Sequence, residues 1–544
     1  MSVRPRGHGR RAVLLLFVLV LLAIPSSGAA APATEVRAVI GVGGWISPGE
    51  VTPLRIDVHS RAPIAGMLLV EVPSGIRGGL PVRHLLPLRL PAGGRQQAHL
   101  DVVVHDPRRP IAIVVRDARG ERARQEVPIG VGRVVEGVVA ALTLEAAGLE
   151  FLAGTEGKRQ PAYITEAELP VRWQAYDAVD LLVLRDLDPR VVLPAQERAL
   201  TEWIAQGGRL LVVAPERLSL NEARWLRDLL PSSGRRTYGR GVVAVAAVDL
   251  FAPARRARGD LRTQVLALLD RPSGSPVADP ALAGILPSTR PLSGGTQAGL
   301  AILSLLYVVA ARVLLRRFGA SRGGWIVIAA FIGASTAALY TFAAGARSAA
   351  TSLAQLSVAE MLGTLNHARV TTYASIIAPY GGRFVVSMPN GVTARALNDA
   401  AVTYDEGARE IRGSAAAGQV SIVARQIVAL RIGARQSAPD VLAIDRGAPE
   451  LQRAVLYRQR QLYRLPPDLG GTIRLDPARW EPVDRPGTLG VDVPGRAMDL
   501  LFKQLDRSPD TTWLIGRVVD DRLGLRTERG ADGDAVRLVV TEVR

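Results

Sequence analysis

The sequence predicts a multidomain chain of α/β and β units: a β-sandwich, a parallel α/β domain, a two-helix transmembrane hairpin and a C-terminal β-sandwich region. Three observations lead to that class. β-branched runs broken by Gly, Pro and charged turns fill residues 35–130 and recur through 347–544. Strand and helix patterns alternate over 131–275. Two acid-free apolar segments, about 298–315 and 324–344, each have the length of a bilayer-crossing helix.

Composition sets the outer limits. At 544 residues the chain has room for several domains. With 48% hydrophobic and 22% charged residues it is neither disordered nor fibrous. The absence of cysteine excludes disulfides, thiolate metal sites and a cysteine nucleophile. The formal charge of +17 is carried almost entirely by arginine, since Lys158 and Lys503 are the only lysines. Acids and arginines alternate, as in Arg116-Asp117-Ala118-Arg119, so no basic face is gathered and nucleic acid is not an expected partner.

Residues 1–33 read as a secretory signal peptide. Arg4, Arg6, Arg10 and Arg11 precede an apolar run from Ala12 to Ile24, followed by small residues up to Ala31-Pro32-Ala33. The alternative is an uncleaved N-terminal anchor, and either reading exports the chain that follows. In residues 35–130, the runs Val36–Val42, Thr52–Val58, Gly66–Val72, His99–Val104 and Ile111–Val115 predict strands of one β-sandwich domain.

Over 131–275, Asp180–Leu184 is a short apolar run suited to a strand buried on both faces. Pro194–Gln206 follows as a helix, with Leu200, Trp203 and Ile204 at helical spacing and Gly207-Gly208 as its stop. Arg209–Val213 is the next strand, Leu220–Leu230 a second helix and Gly241–Val248 a third strand. That order implies a parallel sheet.

Leu169-Pro170, Trp173, Tyr176-Asp177, Asp180–Leu184, Gln196, Leu200, Trp203, Gly207-Gly208 and Tyr238-Gly239-Arg240-Gly241 give this stretch a resemblance. It resembles the class I glutamine-amidotransferase-like domain of bacterial membrane-anchored envelope proteins, over about 140 residues. The resemblance implies a flavodoxin-like three-layer fold, and an association with MoxR-type ATPases and von Willebrand factor A-like membrane proteins. The activity is not carried over. An amidotransferase needs a cysteine on a strand–helix elbow and a histidine base, and this chain has no cysteine and no histidine between His105 and His367.

Residues 276–296 read as a linker, and 297–346 as the membrane hairpin. Arg316, Arg317 and Arg322 mark the 316–322 connection as the cytoplasmic side by the positive-inside rule. The expected location is therefore a bacterial inner membrane, with the regions before 298 and after 345 on the outer, periplasmic side. The lipid bilayer and a membrane or periplasmic protein are the expected partners. The alternative for the hairpin is a pair of helices buried in a core. Residues 347–544 read as one or two β-rich domains.

Candidate chemistry is sparse. Asp186 and Asp188 follow the strand Asp180–Leu184, and Glu216 follows Arg209–Val213, so all three stand at carboxyl ends of parallel strands, where α/β sheets bind ligands. Helix capping and loop solvation are the plainer explanation of the same positions, and Asp188 before Pro189 suits them well. His99, Asp101 and His105 share one face of an extended strand, but the end imidazoles would lie about 20 Å apart, too far for one metal ion. They read as solvent-facing. No catalytic residue, metal site or cofactor is expected. The expected function is a non-enzymatic envelope protein that binds a ligand or protein partner. Two alternatives stand beside it. One is an exporter subunit packed through Gly333, Ala334, Ser335 and Ala337. The other is a carboxylate-dependent hydrolase using Asp186 and Glu216.

Overall fold

Strict alternation builds the first unit. In β2 (Val51–Ser60), Leu54, Ile56 and Val58 are buried, while Arg55, Asp57 and His59 point away from the core. With β1 (Thr34–Ile40) and β5 (Gly94–Val103), β2 forms a three-stranded antiparallel sheet. A second sheet holds β3 (Ile64–Val72), β4 (Val82–Leu90), β6 (Ile111–Asp117) and β7 (Gly120–Val127). Leu54, Ile56, Leu68, Val70, Leu100 and Ile113 fill the space between the two sheets.

This computed structural model describes residues 34–75, 79–144, 148–149, 151, 159–213, 223–232, 234–246, 249, 251, 255–269, 286, 294–318, 322–346, 352–362, 365–377, 383–389, 391–397, 401–414, 419–430, 432, 434–438, 441–444, 451–466, 471–482, 501–506, 511–518, 525–527 and 535–543. The signal peptide read at 1–33 lies outside the described residues.

The middle unit is one six-stranded sheet. Its strands are β8 (Gly137–Leu142), β9 (Arg159–Ile164), β10 (Val179–Leu184), β11 (Arg209–Val213), β12 (Arg235–Tyr238) and β13 (Gly241–Ala246), in the spatial order 12-13-11-10-8-9. All neighbours are parallel except β12, which forms an antiparallel hairpin with β13. Every residue of β8 and β11 is buried, as expected for strands covered on both faces. On one face, α1 (Pro194–Ala205) lays Leu200, Trp203 and Ile204 onto Leu182, Leu184 and Leu210, and α2 (Arg224–Leu229) adds Leu226. On the other, α3 (Arg255–Leu269) covers Leu181, Val183 and Leu211 with Leu261 and Val265. Glycine is required where α1 meets β13. A Cβ on Gly241 would lie 1.9 Å from the carbonyl oxygen of Ile204.

The expected membrane hairpin is corrected by the structure. The two segments form α4 (Gly294–Phe318) and α5 (Arg322–Ala346), paired with Tyr307 stacked on Phe331 at 5.9 Å. Among the described residues, however, no helix is long and apolar enough to cross a membrane. The uncharged apolar run of α4 extends only from Ala298 to Ala311 before Arg312 interrupts it. At about 1.5 Å per residue those residues span roughly 20 Å, short of the ~30 Å hydrocarbon layer. The middle of α5, Gly333 to Ala338, is small and carries the hydroxyls of Ser335 and Thr336. The transmembrane element of the fold class, the membrane assignment and the inner-membrane topology built on the 316–322 connection therefore lose their support. The helices leave large apolar side chains exposed, among them Leu305, Ile326 and Tyr340.

The fold is predominantly strand, and the C-terminal region is interleaved with the first unit. β16 (Arg383–Ser387), β18 (Ala401–Asp405), β19 (Glu410–Ser414) and β28 (Arg526–Thr527) extend the sheet of β3, β4, β6 and β7 to eight strands. The joint is a parallel pairing of β18 with β4, which sets Tyr404 opposite His84. It supplies partners for the backbone groups that β4 would otherwise expose at a sheet edge. A nine-stranded sheet runs in the order 17-20-15-14-29-27-23-24-26. It comprises β14 (Ser352–Met361), β15 (His367–Ile377), β17 (Thr393–Ala396), β20 (Gln419–Ala429), β23 (Leu451–Arg458), β24 (Gln461–Arg464), β26 (Glu481–Pro482), β27 (Thr512–Val518) and β29 (Ala535–Val543). A small sheet of β21 (Ala434–Ala438), β22 (Val441–Ile444) and β25 (Gly471–Arg474) packs beside it through Leu442 and Ile444. The 35–130 and 347–544 regions thus share one sheet.

Candidate functional site

The acids singled out in the sequence have separate fates. β8 and β10 are the neighbours at which the strand order reverses, so their carboxyl ends frame the crevice where such sheets bind ligands. Asp186 stands there, but its Oδ2 accepts hydrogen bonds from Thr143 Oγ1 and Leu144 N, both at 3.1 Å. Arg185 Nη1 lies 3.6 Å from the same oxygen while its Nε and Nη2 clasp Asp249 at 3.2 and 3.1 Å. Asp186 is therefore engaged in tying the two strand ends together. Asp188 is exposed and closes an Asx turn onto Arg190 N at 3.0 Å. Glu216 lies outside the described residues. Among the described residues, no three His, Asp or Glu side chains converge as metal ligands.

A second constellation forms where the first unit, the middle unit and the C-terminal sheet meet. Val51, Val72, Val82, His84, Asp101 and Val103 come from the first unit, Gln174 from the middle unit, and Thr393, Arg395, Tyr404, Val423 and Arg425 from the C-terminal region. They line a small recess of about 40 Å³. His105, exposed, stands at its edge.

Arginines tie the three units around this recess. Arg425 Nη1 meets Asp177 Oδ2 at 2.5 Å, and Gln174 Nε2 donates to the Arg425 carbonyl at 3.4 Å. Arg395 Nη1 donates to the Gly49 carbonyl at 2.6 Å. Arg172 bridges Asp101 at 3.5 Å and Glu406 at 3.6 Å. Further out, Glu360 is held between Arg369 at 2.6 Å and Arg240 of the middle unit at 3.4 Å. Arginine suits this work because its planar fork stays charged and serves several acceptors at once.

The electrostatics of the recess follow from its burial. The Asp101 carboxyl is pushed up to about 6 by burial, against the pull of Arg172 and with help from Glu406 and Asp177. Burial also raises Glu50, with Asp177 adding and Arg425 and Arg395 opposing. Burial acts upward on Glu406 too, but there His84 and Arg172 together outweigh it and hold the carboxyl below its ordinary value. Arg395 is lowered by burial and by the neighbouring Arg425. His84 stacks on Tyr404 at 4.9 Å and faces Glu406 Oε1 at 3.6 Å.

Four residues that line the recess each carry a buried polar atom without a hydrogen bond among the described residues: His84 Nδ1 and Asp101 Oδ2, which have only the longer contacts to Glu406 at 3.6 Å and Arg172 at 3.5 Å, together with Thr393 Oγ1 and Arg395 Nε. Such groups ordinarily find partners, and leaving one bare costs on the order of 1–3 kcal/mol. Here the residues that carry them border one space and mix donor with acceptor capacity. Apolar walls with a few polar groups beside them are the usual make-up of a small-molecule site.

The sequence reading missed this site. It took His99, Asp101 and His105 as solvent-facing, whereas the Asp101 side chain is only 6% exposed beneath Arg172. The outer face of β5 is covered by segments some 70 to 325 residues further along the chain, and no local pattern announces them. The faint local signal is Ala394-Arg395-Ala396, a charge set between two small residues in a strand.

No known family matches the chain, and no curated protein matches it. Among solved structures, the chain is similar to the Pseudomonas fluorescens alkylpurine DNA glycosylase AlkC bound to DNA containing an abasic site analog. The identity is 15% and the TM-score 0.14, with 20% of this chain and 32% of that chain covered. The match spans about a third of that protein, and a likeness so slight carries no argument about fold or function.

Proposed function

We propose that this is a non-enzymatic binding protein that closes three structural units around a small ligand at their junction. The observation that supports this reading is that His84, Asp101, Thr393 and Arg395, each with a buried polar atom that makes no hydrogen bond among the described residues, all line one recess. The surrounding ions pair with one another across the units, so the recess is preorganised.

Native mass spectrometry of the full-length chain, followed by analysis of what denaturation releases, tests this reading. A stoichiometric small molecule that is absent from an Asp101→Leu variant of unchanged fold is the expected result. A wild-type chain that emerges free of any bound molecule, and gains none on incubation with a cell extract, would overturn it.

A further inference from the structure

We infer that the open edge of β12 binds an acidic segment of another protein in extended form, which joins the middle sheet as a further strand. This surface is separate from the junction recess and goes beyond the binding reading proposed for it.

The register of the β12–β13 hairpin shows that the edge is open. Val245 N donates to the Gly234 carbonyl at 2.8 Å, and β12 pairs Arg236 with Val243 and Tyr238 with Gly241. Hydrogen-bonded positions alternate in an antiparallel pair, so the backbone groups of Arg235 and Thr237 point away from β13. The partner strand agrees: Val242, opposite Thr237, donates its N–H to the Gly208 carbonyl on its other side at 3.1 Å. β12 is the end strand of its sheet, and no described strand lies beyond it. Among the described residues, the N–H and C=O groups of Arg235 and Thr237 therefore have no backbone partner. An extended peptide carries the same alternation of donors and acceptors and complements such an edge.

Charge gives the chemistry of the partner. From residue 223 to 246 the sequence has five arginines and one acid, Asp228, a local departure from the even mix elsewhere. Arg224, Arg227, Arg235 and Arg236 are exposed. Arg236 turns to α2, where its Nη1 donates to the Asp228 carbonyl at 3.2 Å, so it shares the α2 side of the sheet with Arg224 and Arg227. Acids at alternate positions of an incoming strand all meet one side. The open groove beside β12, about 670 Å³ and lined by Leu230, Pro231, Ser232, Arg235, Arg236 and Thr237, gives such a segment room. The same arginines repel the edge of a second copy, which keeps this strand from pairing with itself. A nucleic acid would meet the arginines too, but its phosphates have no donors for the carbonyls of Arg235 and Thr237.

Fluorescence anisotropy on the full-length chain tests this, with a labelled peptide of about ten residues that alternates glutamate with threonine. Oligothymidylate of equal charge, which has no peptide groups, is the control. Thr237→Pro removes one outward N–H, and proline is tolerated on a strand edge where that group faces solvent. The second variant joins Arg224→Glu to Arg236→Glu. The expected result is peptide binding that falls as salt rises and weakens about tenfold in each variant. Where Thr237→Pro lowers the unfolding midpoint, the charge-reversed variant and the oligothymidylate comparison decide. No peptide binding by the wild-type chain overturns the inference, as does equal binding by the charge-reversed variant. Oligothymidylate that binds as tightly as the peptide overturns strand addition and the peptide class with it.

Discussion

Asp177 and Arg425 lie 248 positions apart and meet as an ion pair at 2.5 Å, joining the middle unit to the C-terminal sheet. Their side chains are 15% and 17% exposed, so solvent screens the pair only weakly. Replacing Arg425 by methionine would leave Asp177 and the nearby Glu50 without their main cation. The expected loss is about 3 kcal/mol, read as a lower midpoint of chemical unfolding. Adding Asp177→Leu to Arg425→Met would return part of that loss.

Asp101 makes stability depend on pH in an unusual direction for a carboxylate. Its folded value of about 6 stands above its ordinary 3.8, so between those values the native state binds the proton more tightly than the unfolded chain. Its contribution is therefore best below about pH 4 and is lost as pH rises through about 6. The span is on the order of 3 kcal/mol. Asp101→Asn cannot titrate. Stability measured from pH 4 to 7 should show wild type losing ground to the variant as pH rises. A difference that stays constant across that range would contradict the burial of this carboxyl.

The acids at the carboxyl ends of the middle sheet separate by substitution. Asp186→Ala removes the acceptor for Thr143 and Leu144 and should cost about 1–2 kcal/mol. Asp188→Ala, at an exposed turn, should stay within about 0.5 kcal/mol of wild type. Thermal unfolding of both variants checks the contrast.

Gly241→Ala tests the close approach of α1 to β13. Its new methyl would lie 1.9 Å from the Ile204 carbonyl oxygen and 2.4 Å from that of Gly208. Backbone has to move to admit it, and the expected loss is about 2 kcal/mol or more. An unchanged unfolding midpoint would show that the helix and strand ride further apart.

Local pattern made individual elements legible. The buried run at 180–184, the helix starting at Pro194 and the Gly207-Gly208 stop are local signals, and β10, α1 and β11 lie where those signals fall. The sheet partners were not legible, because the parallel register of β18 on β4 joins segments with no shared periodicity. The hairpin was misread because Arg312 reads from the sequence as a snorkelling residue near the end of a span, not as the end of a short apolar run. The recess was hidden for the same reason as the sheet sharing. Asp101, Gln174 and Arg395 look like ordinary polar positions until the chain brings them together.

The pairing of β18 with β4 also sets a schedule for synthesis. β4 ends at Leu90 and its neighbour begins at Ala401, so the edge of β4 waits for roughly 310 residues of further chain. At about 5–20 residues per second, that wait lasts on the order of 15–60 s. Throughout it, the nascent first unit carries an open strand edge on the ribosome, a template for pairing with neighbouring nascent chains. A chaperone holding the edge until residue 401 has been made would protect it, whereas a slowly translated stretch before that point would prolong the exposure.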